Sequence, residues 1–420
     1  MDDTGRTALS GGWFMRERLL LGLALALSLA LMGGLVLHIL GEVPETNSYA
    51  LLADAFLNGR FSGDRCFDGD CALYAGRIYV IFPPAPAVVA MPFVAVFGPG
   101  FAGFAALGAL ATAIALYLWW RIFERLDIDR KMAAWLLLAL AFGSPLYYVT
   151  IRSDQIWFYA QAIAFLFVTA ALYEVVRGGR LWVAGLSIGA AFLSRQMSVL
   201  YLPFLFALAL APGEPLISFR RDHVVRALKL GLPVAAAVGL YLLYNELRFG
   251  NPLDTGYAYI RPADPDAHNW ISLRIGEIGL FSPRYLFFNL VHLFAEGFHF
   301  GFGGRYMLEP LGVSPMGASL LAASPFVLLA LFAPMNRQVV IGLVTIAAIL
   351  APTLLYHSNG FSQHNVQRYV LDWLPILIYA LALAVGSRLR PAFAVLAVYA
   401  VALNLVTMAL LAQFGSLPGT

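Results

Sequence analysis

Long apolar runs, nearly free of charge, follow one another along the chain: Leu19–Leu40, Phe101–Trp120, Met132–Thr150, Ile156–Val176, Leu181–Leu193, Val199–Ala211, Leu230–Leu247, Met316–Ala333, Val339–Tyr356, Tyr369–Gly386 and Pro391–Ala412. A membrane-crossing helix needs about 20 apolar residues, so the pattern predicts an all-α polytopic transmembrane bundle of about ten or eleven spans, one domain over residues 1–420. The two runs between 181 and 211 are short and parted by Ser194-Arg195-Gln196, which predicts a tight hairpin. Ala85–Gly98 is shorter than a span and is broken by Pro86 and Pro92. It predicts an interfacial or re-entrant segment.

With that segment kept out of the count, the basic loops fall on one side. These hold Arg121, Arg125, Arg130 and Lys131; Arg177 and Arg180; Arg220, Arg221, Arg226 and Lys229; Arg337; and Arg388 and Arg390. The positive-inside bias makes that side cytoplasmic. Arg6, Arg16 and Arg18 precede the first run, which predicts an uncleaved anchor with a cytoplasmic N-terminus. Two long loops, at about 41–100 and 248–315, then lie outside. Within the second, Arg284–Phe300 is amphipathic and aromatic and predicts a helix along the membrane surface.

Composition agrees. The chain is 60% hydrophobic and 12% charged, against about 25% charged in a soluble domain. Its net charge of +3 and lack of a basic tract with interleaved aromatics exclude a nucleic-acid partner. Cys66 and Cys71 share the first outer loop, where an oxidising compartment favours a disulfide over two free thiols. Asp64, Asp68 and Asp70 surround them. Converging oxygens there would suit a divalent cation, but the favoured reading is a solvated acidic loop.

The candidate chemistry lies at the outer edge. Arg152, Arg195 and Arg368 stand in outer connections, against the charge bias, where a guanidinium suits a phosphate at the membrane surface. Arg195 is the preferred anion contact. Arg368 has Asp372 four residues on, which suggests an ion pair along a helix. Glu42 and Glu45 open the first outer loop and Asp154 lies at the outer end of the third run. Two acids facing one pocket could supply a general base and its orienting partner.

Several segments, taken in order, resemble the GT-C superfamily of polytopic glycosyltransferases, in particular its bacterial protein-mannosyltransferase and aminoarabinose-transferase group. They are Glu45-Thr46-Asn47-Ser48-Tyr49-Ala50 with the following Leu52–Leu57 and Gly59-Arg60; Tyr74–Tyr79; Phe82-Pro83-Pro84; Arg195 after Leu193-Ser194; Tyr244-Asn245; Phe249-Gly250-Asn251-Pro252; Gln367-Arg368-Tyr369; and Leu374-Pro375. The resemblance covers roughly residues 20–390. It implies transfer of a sugar from a polyprenyl-phosphate donor to a hydroxyl of an envelope glycan, lipid or protein, with inversion, outside a bacterial plasma membrane and without a cofactor.

Glu45 matches the catalytic acid, Asp154 the acid of the second outer loop, and Arg195 a contact to the lipid phosphate. Tyr49 and Glu42 join the substrate residues. Phe82 stands where relatives carry a phosphate-binding lysine, and Ser48 where some carry arginine. Arg77, Arg152 or Arg368 are the residues that would compensate. The large C-terminal soluble domain of some relatives is not expected here. The alternative is a flippase for lipid-linked sugars, which would bind the same headgroup without chemistry. It would need polar residues through the midplane, and the runs lack them.

Overall fold

A computed structural model describes residues 4–41, 46–260, 270–358, 367–386 and 388–417. The elements are α1 (Thr4–Gly41), α2 (Ser48–Leu57), β1 (Cys71–Tyr74), β2 (Arg77–Val80), α3 (Ala85–Phe97), α4 (Phe104–Arg125), α5 (Arg130–Phe142), α6 (Leu146–Ile151), α7 (Ile156–Val176), α8 (Leu181–Phe192), α9 (Leu202–Ala209) and α10 (Arg221–Phe249). They continue with α11 (Trp270–Glu277), α12 (Leu286–Leu290), β3 (Phe300–Gly303), β4 (Glu309–Val313), α13 (Leu320–Ala323), α14 (Arg337–Leu354), α15 (Leu374–Ala384) and α16 (Arg390–Phe414). The protein is a polytopic helical membrane protein. Among the described residues six helices, α1, α4, α7, α10, α14 and α16, are long and apolar enough to cross a bilayer.

The other apolar runs are broken, and buried polar side chains repair the breaks. Met132–Thr150 divides at Gly143-Ser144-Pro145 into α5 and α6, because Pro145 offers no N–H to continue the helix. The freed carbonyls find donors: Ser144 Oγ donates to Leu140 O (2.6 Å), Asn404 Nδ2 on α16 to Phe142 O (2.7 Å), and Ser324 Oγ to Gly143 O (2.6 Å). Irregular backbone is tolerated at such depth only when protein satisfies it. Met316–Ala333, expected as one span, becomes α13 and a 3-10 helix over Pro325–Phe332. Pro325 is the cause, since it lacks the donor that would carry α13 onward.

The expected hairpin at 181–211 is present: α8 ends at Phe192, and a 3-10 turn over Gln196–Tyr201 leads into α9. Gly185 faces α10 so closely that a Cβ there would lie 2.4 Å from Leu230 O. Small residues at this spacing let helix backbones approach. α7 is the central helix. It packs on α4 and α8, and most of its length is buried, whereas less than a third of α10 or α14 is.

Both long loops carry local structure. The first holds α2, the β1–β2 hairpin and α3, and a Cys66–Cys71 disulfide. The second holds α11, a continuous helical stretch from Pro283 to Ala295, and the β3–β4 hairpin, whose Phe300 packs on Phe414 of α16. At the opposite, basic end, Arg390 Nε binds Glu17 (2.6 Å) and Arg226 binds Glu214, tying α16 to α1 and α10 to the loop after α9.

Candidate functional site

The turn between α6 and α7 carries Arg152 and Asp154, whose side chains pair at 3.3 Å. Gly108 of α4 allows this turn to seat, because a Cβ there would lie 2.3 Å from Ser153 Cβ. Asn47 caps α2 by accepting the Tyr49 N–H (2.9 Å) and donates from Nδ2 to Asp154 O (3.0 Å). The start of α2 is therefore fastened to the start of α7. Glu42 and Glu45 lie outside the described residues.

Next to this junction the structure gathers two arginines and a set of aromatic rings. Arg195, in the α8–α9 connection, holds Asp372 in a two-pronged pair, Nε to Oδ1 at 2.9 Å and Nη2 to Oδ2 at 2.5 Å. Its guanidinium carbon lies 5.3 Å from the centre of the Tyr369 ring, and that of Arg368 lies 4.9 Å from the same ring. Arg368 also faces Phe158 (5.6 Å) and Trp157 (6.0 Å) on the first turn of α7. The expected Arg368–Asp372 pair is not formed. Residues 368–372 are a 3-10 helix, and at three residues per turn positions four apart do not share a face. Asp372 turns to Arg195 instead.

Arg368 is consequently 8% exposed with no carboxylate within salt-bridge range among the described residues, and its Nε has no hydrogen-bond partner. Its carbonyl is fixed by Gln161 Nε2 of α7 at 3.0 Å. Tyr49 is fully buried, its ring 5.9 Å from Tyr159 and 6.4 Å from Phe82, and its hydroxyl is unpartnered. Burial pushes the Tyr49 phenol well above its ordinary range, reinforced by Tyr244 and Tyr159, while the charge of Arg195 pulls it back. Tyr257 and Tyr356, hydrogen-bonded to each other, and Tyr369 surround the same two arginines. Among these residues, the sequence did not mark Trp157, Tyr257 or Tyr356, and it paired Asp372 with Arg368 rather than Arg195. The one available signal was the density of tyrosines beside Arg152, Arg195 and Arg368.

Asp68 and Asp70 correct the reading of a solvated acidic loop. Asp68 Oδ2 accepts the Ser48 N–H at 2.7 Å, and Asp70 Oδ2 accepts the Trp157 indole N–H at 2.7 Å. Burial raises both carboxyls. For Asp70 the Trp157 indole and then the Arg368 charge work in the other direction. Asp64 goes elsewhere: it is exposed and lies 3.8 Å from Arg60. Arg77 is exposed at the start of β2 and lines a different cleft of about 590 Å³, with Arg60, Asp64 and Tyr79. Arg152, Asp154, Arg195, Arg368 and Tyr49 thus share one end of the bundle, and Arg77 is apart from them.

No protein-family model matches the chain, and no curated protein matches it in sequence. Two solved structures are similar to it. One is the Archaeoglobus fulgidus oligosaccharyltransferase in its apo form, with a TM-score of 0.44 and 15% identity, covering 96% of this chain and 56% of that one. The other is the archaeal oligosaccharyltransferase AglB from Archaeoglobus fulgidus in complex with an inhibitory peptide and a dolichol-phosphate. It has a TM-score of 0.40 and 15% identity, covering 97% of this chain and 57% of that one. The chain spans little more than half the length of either.

The arrangement has the parts of an anion site with an acid beside it. A guanidinium freed from carboxylates keeps its planar fork for phosphate. Aromatic walls lower the local dielectric and strengthen that contact. Asp154, paired with Arg152, is fastened through its backbone carbonyl to the cap of α2, where the Asp68 carboxylate takes the Ser48 N–H.

Proposed function

We propose that the protein is a glycosyltransferase that moves a sugar from a polyprenyl-phosphate-linked donor to an acceptor hydroxyl at the extracytoplasmic face of a bacterial plasma membrane. The observation that carries the reading is Arg368: a buried guanidinium without an acidic partner in salt-bridge range among the described residues, walled by Trp157, Phe158 and Tyr369, at the same end of the bundle as Asp154. Leaving a buried charge uncompensated is costly, and an anionic ligand removes the cost.

In this scheme Glu45 takes the proton of the acceptor hydroxyl and Asp154 orients it. The acceptor oxygen attacks the anomeric carbon in line, the carbon–oxygen bond to the lipid phosphate breaks, and configuration inverts. The negative charge that builds on the departing phosphate meets Arg368, with Arg195 held beside it by Asp372. Electrostatic help at the leaving group lowers the barrier most. The acceptor is an envelope glycan, lipid or protein. The basic loops face the cytoplasm.

The test is transfer in proteoliposomes supplied with a panel of polyprenyl-phosphate sugars and envelope extract. Glu45→Gln and Asp154→Asn are each expected to lower turnover at least ~100-fold, the lower range for loss of a general base, with normal yield and melting. Full turnover in both variants would remove the proposed chemistry.

A further inference from the structure

The six-residue stretch Cys66-Phe67-Asp68-Gly69-Asp70-Cys71 is closed into a ring by its own disulfide and docked between two helices. Ser48, fully buried on the first turn of α2, is the docking point. Its N–H goes to Asp68, its Oγ accepts the Phe67 N–H at 3.1 Å, and the same Oγ lies 3.9 Å from each sulfur. An arginine at this position would find its space taken by the ring, which gives the serine a physical reason. On the other side Asp70 rests on Trp157 of α7, and Trp157 in turn faces Arg368.

Three side chains at this junction keep polar atoms without a partner among the described residues. Asp70 uses Oδ2 for the indole, and its Oδ1 has no hydrogen-bond partner among the described residues. Across Trp157, Arg368 is more than nine-tenths buried with Nε unpartnered, and Gln367, next to it in the chain, is 1% exposed with both amide atoms unpartnered. A carboxylate, an indole and a guanidinium in succession, Asp70, Trp157 and Arg368, match a hydroxyl-rich ring that bears a phosphate. The carboxylate takes hydroxyls, the guanidinium takes phosphate, and the aromatic rings take the C–H faces.

We propose that the disulfide-closed ring is part of the substrate site, that Asp70 accepts hydroxyls of the transferred sugar, and that this contact exists only while Cys66 and Cys71 are joined. The proposal rests on the glycosyltransferase reading and adds a sugar-recognising residue and a redox requirement to it. Opening the ring frees Asp70 from its register over Trp157, so recognition of the sugar is lost while Arg368 still takes phosphate.

The experiment measures binding to purified protein of farnesyl phosphate and of farnesyl-phosphoryl hexoses and pentoses. Wild-type protein prefers one sugar-bearing lipid. Asp70→Asn keeps an oxygen for the indole and so keeps the fold. It is expected to weaken binding of that lipid roughly tenfold or more, with farnesyl phosphate unchanged. Reducing the disulfide with a phosphine is expected to reproduce this pattern, with far-ultraviolet circular dichroism unchanged. A sugar preference that survives both Asp70→Asn and reduction overturns this proposal alone. Equal weakening of both lipids by Asp70→Asn overturns it too, since a sugar contact cannot act on bare phosphate. Wild-type protein that binds bare and sugar-bearing lipids equally overturns the transferase reading with it.

Discussion

Arg195 and Arg368 look alike in the sequence and are expected to fail in opposite ways when truncated. Arg195→Ala leaves Asp372, whose side chain is 6% exposed, without its cation. Removing one partner of a buried pair costs about 3–5 kcal/mol, and the residual exposure of Arg195 puts this case near ~3 kcal/mol. Tenfold per 1.4 kcal/mol makes that roughly a hundredfold in the unfolding equilibrium. Arg368→Ala breaks no salt bridge among the described residues, only the longer-range pull on Asp70, and is expected to cost little stability. It does lose a charge-assisted contact to phosphate, about 1.5–3 kcal/mol, or roughly 10- to 150-fold in affinity for a lipid phosphate. The assays are unfolding by sodium dodecyl sulfate in mixed micelles and binding of farnesyl phosphate. The double variant Arg195→Met, Asp372→Leu should recover most of the stability lost by Arg195→Ala. The reasoning is refuted if Arg195→Ala unfolds like wild type while Arg368→Ala is the unstable one, or if the double variant recovers nothing.

Two further outcomes are expected. Burial, with the nearby charge of Arg274, lowers His357 from its ordinary value to about 4, so the folded protein holds it neutral. Between about pH 6.5 and 4 the unfolded chain takes up a proton that the folded one refuses, and stability falls as the solution is acidified. Melting curves across that window should lose part of their slope in His357→Phe; an identical slope would assign the pH dependence to other groups. A cysteine in place of Arg180, which is exposed at the basic end, should react with a membrane-impermeant maleimide only after permeabilisation, since the natural cysteines are joined. Labelling of intact cells would reverse the orientation.

Class, long loops and the edge location of the charged residues could be read from hydropathy, because a bilayer imposes length and charge rules on every span. The helix breaks could not. Gly143-Ser144-Pro145 sits in an apolar run, and the groups that satisfy its carbonyls, Ser324 and Asn404, come from far along the chain. The arginines were visible, but their partners were not. An i, i+4 pairing of Arg368 with Asp372 assumes an α-helix, and the segment is 3-10. Asp68 and Asp70 read as wet because nothing in their own neighbourhood reveals Ser48 and Trp157 as their acceptors' donors.

The central place of α7 has a mechanical consequence. Helices that face lipid respond to a change in bilayer thickness by tilting. Here α1, α10, α14 and α16 are each a third buried or less and so are open to acyl chains, whereas α7 is sheathed by its neighbours. Trp157, Phe158 and Gln161 ride on that sheathed column. When the surrounding membrane thins or thickens, the outer staves of the barrel lean first, and the platform under the arginines stays level.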